Sequence, residues 1–197
     1  MKVFAFVASV VACSFTSAAY AATYNLSEDR YYGDWFSAKL SLGKEVYYRA
    51  GNVTQPNSSL FIDYYPGSCD TPNLQIMNSG LEPMPNDADL YFNSYTRVDK
   101  KKVIKGYANL VAERGGTNAY VVIASGKFHK ILESLKDGKT VRFKVKDDDS
   151  VFYTFGLNGS AKSMELAASR CKRQSQGPES YFPDTSDSKS SDTDVIM

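Results

Sequence analysis

The chain has 197 residues, which is enough for one domain with its own hydrophobic core. Apolar residues make up 43% and charged residues 23%, a composition typical of globular proteins and not of disordered ones. Lys and Arg total 23 against 22 Asp and Glu, a formal charge of +1, and this balance argues against a dedicated nucleic-acid binder. One histidine and three cysteines exclude zinc sites that need several Cys and His ligands. We therefore predict neither a metal nor another cofactor.

Residues 1–21 have the three parts of a secretory signal peptide. Lys2 gives the positive start, residues 3–12 are apolar, and residues 19–21 (Ala-Tyr-Ala) form a small-x-small cleavage pattern. The apolar run is shorter than the roughly 20 residues of a transmembrane helix. We expect a periplasmic or secreted protein without a transmembrane segment. In the alternative interpretation, Cys13 ends a lipobox-like sequence and carries a lipid anchor.

Cleavage after Ala21 leaves two cysteines, Cys69 and Cys171. Two cysteines in an exported protein usually pair, so we predict one disulfide. In the loop-entropy model, closing a loop of about 100 residues stabilises the fold by roughly 4–5 kcal/mol. Two free buried thiols are the alternative. There is no C-x-x-C spacing to indicate redox chemistry.

After a polar start at residues 23–30, which we expect to be mobile, β-branched and aromatic runs alternate with turn residues. The first strong apolar cluster is residues 31–36. The runs predict strands at 44–49, 60–65, 74–77, 90–95, 102–111 and 119–124.

Residues 141–145 alternate apolar with basic side chains, and a second alternating run starts at residue 151. The two runs predict a hairpin with one buried and one basic face. Asp147, Asp148 and Asp149 form its turn, which we interpret as solvated; cation binding is the alternative.

Two amphipathic segments interrupt the strands. In residues 125–135, with Ser125 as N-cap, an apolar stripe is made by Phe128, Ile131, Leu132 and Leu135. The second helix covers residues 160–171, with Ser160 as a cap. Its predicted inward side chains are Met164, Leu166, Ala167 and Ala168. The only histidine, His129, falls on the polar side of the first helix.

The fold class that follows is mainly β: a β-sandwich-like domain over residues 22–173 with two short helices and one disulfide. Residues 174–197 carry four aspartates and one glutamate against one lysine, with six serines. We predict a flexible acidic tail. It is either a solvated terminus or a charge-guided contact.

Tyrosines and a basic strand face are the candidate contact residues. The chain has 14 Tyr, several in adjacent pairs, and neighbours on a strand point to opposite faces. We therefore expect one Tyr of each pair to face outward, and we single out Tyr47 and Tyr64 as contacts for protein or glycan. The alternative is that they only cover the sheet. Arg142, Lys144 and Lys146 form the basic face that would meet an acidic partner.

The C-terminal half has a characteristic order: a Leu-rich helix, the strand at 141–145, and then Phe-Gly-Leu-Asn-Gly-Ser-Ala at 155–161. This order resembles the end of the bacterial invasion-associated locus B family, and Gly33-Asp34-Trp35 resembles that family's opening. The cysteines at 69 and 171 depart from the family pattern. The resemblance implies a small exported β-rich envelope protein linked to host-cell interaction and virulence, and it carries over no catalytic residues.

No spacing of Ser, Cys, His or carboxylates indicates a catalytic site. We therefore predict a non-enzymatic, exported interaction protein with a protein partner. The alternative is a periplasmic inhibitor or immunity protein that neutralises a toxin or hydrolase. A small hydrolase that uses paired carboxylates is the third hypothesis.

Overall fold

The computed structural model describes residues 24–145 and 151–175. The predicted signal peptide, Lys146, the Asp147–Asp149 turn and residues 176–197 of the predicted tail lie outside the described residues. Gln174 and Ser175, predicted as the start of the flexible tail, belong instead to the last helix. Within the described ranges, neither helix has the length and apolarity needed to cross a membrane.

Ten strands and two helices make up the described chain. The strands are β1 Asn25–Tyr32, β2 Trp35–Leu42, β3 Glu45–Asn52, β4 Ser58–Tyr64, β5 Asn73–Asn78, β6 Ala88–Val98, β7 Ile104–Ala112, β8 Ala119–Ala124, β9 Thr140–Val145 and β10 Val151–Gly156. The helices are α1 Phe128–Asp137 and α2 Ser160–Ser175.

The strands form one antiparallel sheet in the order β1-β2-β3-β4-β5-β8-β7-β6-β9-β10. Successive hairpins build each section, and the non-sequential neighbours are β5 with β8 and β6 with β9. This confirms the prediction of a mainly β fold with two helices and one disulfide. The predicted β9–β10 hairpin is confirmed too, with Phe143 opposite Tyr153.

The prediction of a mobile segment at residues 23–30 is wrong over 25–30, because these residues belong to β1 and pair with β2. Only Tyr32, at the end of β1, is even half-buried. Backbone hydrogen bonds rather than apolar burial hold β1 in the sheet, so it leaves no hydrophobic pattern in the sequence. The next strand, β2, was also not predicted as a strand.

The inner face of the sheet and both helices share the main hydrophobic core. Its largest fully buried side chains include Trp35, Phe143 and Phe155, and α1 and α2 add Ile131, Leu135 and Met164. A second, smaller cluster covers the other face of β2, β3 and β4. It contains Phe36, Ala38, Leu40, Tyr47 and Phe61, flanked by Tyr24, Tyr65 and Met77.

Both helices begin differently from the cap predictions. Helix α1 begins at Phe128, after Lys127, so Ser125 is not its N-cap. The Ser125 hydroxyl instead donates to the Lys105 carbonyl (2.9 Å) and accepts from the Lys127 N–H (3.1 Å). These bonds hold the turn before α1 against β7.

In α2 the Ser160 hydroxyl is a donor, not a capping acceptor. It donates to the carbonyls of Leu135 (2.6 Å) and Leu157 (2.8 Å), which joins α2 to the end of α1. Of the predicted inward residues, Met164 and Ala167 are buried, whereas Leu166 and Ala168 are half-buried.

The two ends of the sheet meet at the carbonyl of Gly156. This oxygen accepts hydrogen bonds from Trp35 Nε1 (2.9 Å) and Asn52 Nδ2 (2.9 Å). Trp35 and Asn52 are cross-strand partners on β2 and β3, whereas Gly156 ends β10 at the opposite edge. The sheet must therefore curl around the core. We call this contact the Gly156 junction.

Two glycines allow the segments beside the junction to approach closely. Gly159 has φ +93° and Gly33 has φ +58°, both in the left-handed region that favours glycine. A Cβ at Gly159 would overlap the backbone carbonyl of Tyr32. The Asp34 N–H donates to the Asn158 carbonyl at 3.0 Å in the same place.

A disulfide joins Cys69, in the loop between β4 and β5, to Cys171 near the end of α2. The two Cα atoms are 5.8 Å apart and the cysteines are separated by 102 residues in sequence. Since α2 packs on β2 and β3, the bond ties the last element to the middle of the sheet.

We expect Gly159→Ala to lower the free energy of unfolding by about 3–5 kcal/mol, because a left-handed backbone and an overlap with Tyr32 act together. Gly43→Ala is the matched control: Gly43 has φ +59°, and a Cβ there would meet no atom within 4 Å, so about 1 kcal/mol is expected. Urea unfolding measures both variants. Equal losses would contradict a role for the close approach.

We expect Cys69→Ser/Cys171→Ser to lower the free energy of unfolding by about 3–5 kcal/mol, since the cross-link restricts the unfolded chain. Guanidinium unfolding with and without reductant measures the change. Reductant should destabilise the native protein similarly and leave the double variant unaffected. Unchanged stability of the double variant would contradict the prediction.

Candidate functional site

The outward side of β6, β9 and β10 carries a group of cations and aromatic side chains. We define the basic face as Tyr95 and Arg97 of β6, Arg142 and Lys144 of β9, and Phe152 of β10. With Val103 they line a concavity of about 370 Å³. Because side chains alternate along each strand, the neighbouring residues Val141, Phe143 and Phe155 point into the core. Their packing fixes the position of the basic face on the other side of the strands.

The register places two arginines directly opposite each other. Arg97 of β6 pairs with Arg142 of β9, and Tyr95 pairs with Lys144. Lys144 Nζ lies 5.9 Å from the centre of the Tyr95 ring, and Phe152 is opposite Lys144 on β10. Like charges directly opposite on neighbouring strands are destabilising. The Arg97–Arg142 pair therefore favours an anion above the two guanidinium groups.

No carboxylate from the described ranges lines this concavity, and none forms an ion pair with Arg97, Arg142 or Lys144. Asp99, the acidic residue that follows β6, is engaged elsewhere. It accepts hydrogen bonds from the backbone N–H groups of Lys139 and Thr140, and these lower the pKa of its carboxyl.

Phe152 completes the face as an apolar group between cations. Its side chain is 58% exposed, which is unusual for a phenylalanine on a strand whose other side packs in the core. An exposed aromatic beside arginine is the composition typical of residues that dominate protein interfaces.

The basic residues and the tyrosines that the sequence analysis selected lie in different environments in the structure. Arg142 and Lys144 lie on the basic face, as the alternating pattern predicts, while Lys146 falls outside the described residues. Tyr47 and Tyr64 are buried, with exposures of 6% and 4%. The expectation that these two tyrosines face outward is wrong.

Burial of Tyr47 follows from the second cluster. Tyr48, its neighbour, packs in the main core, while Tyr47 is covered by the rings of Tyr24 (5.2 Å between centroids) and Tyr65 (5.1 Å). Both faces of β3 are thus covered. The same burial raises the pKa of the Tyr47 and Tyr64 hydroxyls. The Tyr24 pKa is raised to about 12, chiefly by its hydrogen bond to Glu45.

A buried ion pair lies under this cluster. Arg49 donates to both carboxylate oxygens of Asp63 at 2.7 Å, and Gln75 Nε2 donates to Asp63 Oδ2 at 2.7 Å. The Arg49 guanidinium also lies 3.9 Å from the Phe61 ring centre. Burial lowers the Arg49 pKa, but the hydrogen bond and charge of Asp63 outweigh burial and raise it. Because these charges are fully paired, the cluster is a structural element of the sheet.

Exposed tyrosines occur elsewhere in the sheet: Tyr31 is exposed beside the half-buried Tyr32, which agrees with the expectation for that adjacent pair. Tyr91 and Tyr107 are 71% and 66% exposed and lie on the same outward side as the basic face. The two tyrosines that we singled out from the adjacent pairs, Tyr47 and Tyr64, lie in the most covered part of the sheet instead.

Four members of the basic-face concavity were missed: Tyr95, Arg97, Val103 and Phe152. The hairpin pattern already placed Phe152 on the side of Arg142 and Lys144, so that residue could have been found. Tyr95 and Arg97 depend on the pairing of β6 with β9, which are separated by two strands and a helix in sequence.

His129 lies exposed on α1, away from any described cluster of potential metal ligands; residues 24–145 and 151–175 contain no group of three or more His, Cys, Asp or Glu suited to a metal. Comparisons with family models, curated proteins and solved structures found no match to this chain. The resemblance to the invasion-associated locus B family stays a prediction. Its two sequence segments are the ones that meet at the Gly156 junction.

We expect Asp63→Asn to lower the free energy of unfolding by about 3–5 kcal/mol, because it leaves the Arg49 charge buried without a counter-charge. Urea unfolding measures the loss. Arg49→Met/Asp63→Leu should recover most of it, since no charge is then buried.

The matched control is Asp70→Asn at the exposed Lys172–Asp70 pair (2.8 Å), where a change of under about 0.5 kcal/mol is expected. A similar small change for Asp63→Asn would show that the buried pair contributes little.

Proposed function

We propose that this protein is an exported, non-enzymatic interaction protein whose basic face binds an acidic protein partner. The observation that carries the proposal is the Arg97–Arg142 pair, two opposed cations beside Lys144 and the exposed Phe152. A partner carboxylate between the arginines would relieve their repulsion and accept charge-assisted hydrogen bonds. A neighbouring apolar group of the partner would cover Phe152.

Export is supported by two features that agree. The sequence begins with a signal-peptide pattern, and the Cys69–Cys171 disulfide is of the kind that persists in oxidising compartments. A role at a bacterial envelope, with host interaction and virulence, is part of the proposal but depends on the family resemblance alone.

A rigid scaffold supports a contact function. Three neighbouring strands carry the basic face, and their opposite sides are anchored by buried Val141, Phe143 and Phe155. A surface that needs little reorganisation loses less entropy on binding. The same property suits an inhibitor that blocks a toxin or hydrolase, which is the alternative form of the proposal.

The first experiment is a pull-down with the mature chain, residues 22–197, from envelope and secreted fractions. We expect one stoichiometric acidic partner for the native protein and its loss with Arg97→Gln/Arg142→Gln. The matched control is Lys136→Gln/Lys162→Gln. It removes the same charge from two lysines that line a different concavity, beside Asn158, and should retain the partner.

The arginine variant has a second expected result. Removing two opposed cations should raise the free energy of unfolding by a few tenths of a kcal/mol, about the size of a cross-strand charge pair. Loss of binding together with a stability gain would separate a contact role from a folding defect. Retention of the partner by Arg97→Gln/Arg142→Gln would overturn the proposal.

The partner's behaviour separates the two forms of the proposal. If the partner is a toxin or hydrolase and added mature chain suppresses its activity, the inhibitor form is supported. If activity is unaffected, or the partner has none, the contact form is supported.

A further inference from the structure

A second basic surface lies beside the basic face and has a different composition. A groove of about 780 Å³ runs between the turn that joins β6 to β7 and the start of α1. We call it the lysine groove, and its charged members are Lys101, Lys102, Lys105, Lys127 and Lys130. The remaining lining residues are small or aliphatic: Val103, Ile104, Ser125, Gly126 and Ser134. Of these residues, only Val103 also lines the concavity at the basic face.

The positive charge of the groove is not neutralised by the described part of the chain. No carboxylate lines it there, and none of its five lysines forms an ion pair with a described residue. Asp99, at the same turn, directs its carboxylate to the backbone N–H groups of Lys139 and Thr140. The charge of Asp99 also acts on Lys101, one of the five, but no described carboxylate lies among the residues that line the groove.

The groove walls are held in place by hydrogen bonds. Ser125 bridges them, because its hydroxyl bonds the Lys105 carbonyl on one side and the Lys127 N–H on the other. The turn on the other wall is closed by the Lys101 N–H, which donates to the Val98 carbonyl at 2.9 Å. The lysine positions therefore belong to a formed surface, although their side chains extend from it.

Two of the lysines occupy unfavourable positions. Lys127 immediately precedes α1 and Lys130 lies in its first turn, where no acidic residue is present. Cations at a helix N-terminus are disfavoured by the helix dipole. An anion bound in the groove would offset this unfavourable interaction between the lysines and the helix dipole.

The residue types indicate the class of ligand. Lysine is a mobile point charge without the planar geometry with which arginine selects single carboxylates or phosphates. A row of lysines therefore recognises charge density along a chain. No aromatic side chain from the described residues lines the groove, so it lacks the stacking surfaces that single-stranded nucleic acids use.

We propose that the lysine groove binds a linear polyanionic polysaccharide that carries sulfate or phosphate groups. The choice of a polysaccharide rests on the proposed export, since such chains are ligands outside the cytoplasm. The groove is a site separate from the basic face, and each can fail independently of the other.

The test is the affinity of the mature chain for fluorescent dextran sulfate and phosphorylated dextran of matched length, with uncharged dextran as a blank. The groove variant is Lys102→Gln/Lys127→Gln/Lys130→Gln. The control, Lys44→Gln/Lys162→Gln/Lys172→Gln, removes the same charge at positions outside the groove.

We expect the groove variant to bind at least one charged dextran about tenfold more weakly, and the control to stay within about twofold of the native protein. The preferred dextran identifies sulfate or phosphate as the recognised group. The groove variant should still retain the protein partner of the basic face, which distinguishes failure of this site from failure of the proposed function.

Three results would overturn the proposal. The first is no binding of either charged dextran at low salt. The second is an equal loss in the groove and control variants, which would show that net charge alone decides affinity. The third is tighter binding of a single-stranded oligonucleotide of equal charge than of either dextran.

Discussion

The Gly156 carbonyl is the contact on which the shape of this protein depends. Its two donors, Trp35 and Asn52, come from the N-terminal strands, while Gly156 ends the last strand of the sheet. Without these two hydrogen bonds, no side chain of β2 or β3 would be bonded to the end of β10 at the Gly156 junction. With them, the sheet encloses Phe143 and Phe155 against the helices, and buried polar groups that would otherwise cost free energy are satisfied. The segments around Trp35 and Gly156 therefore have a structural role in closing the sheet.

Closure of the sheet also decides where a partner can bind. The inner face is occupied by the core and by α1 and α2. The outer face is divided: over β2, β3 and β4 it is covered by the second aromatic cluster and the Arg49–Asp63 pair, whereas over β6, β9 and β10 it is open. A contact surface made of tyrosines from β3 and β4 is thus excluded by packing. A surface on β6, β9 and β10 is left, and the basic face within it is lined by cationic and aromatic side chains together with Val103.

Local patterns in the sequence predicted the elements whose structure depends on neighbours in the chain. The β9–β10 hairpin and the two helices were found in this way, whereas the pairing of Cys69 with Cys171 followed from the number of cysteines left after cleavage. Strand β1 was not, because its exposed residues carry no hydrophobic period. The site was half predicted: alternation places Arg142 and Lys144 on one face, but their meeting with Arg97 requires the β6–β9 pairing, a tertiary fact that no local pattern contains. The prediction for Tyr47 failed for a related reason. Alternation shows that Tyr47 and Tyr48 point to opposite faces of β3, but it does not show that both faces are covered.

The treatment of charge differs between the two parts of the molecule, and this difference is the strongest argument for function. The buried charges of Arg49 and Asp63 compensate each other, and Asp63 accepts a further hydrogen bond from Gln75. At the other end of the sheet, Arg97 faces Arg142 and lysines gather at the start of α1, both arrangements that oppose stability. Replacing either set by neutral polar residues would keep the strands and the helix. No described carboxylate lines either concavity, and this is the feature that both proposals of anion binding share.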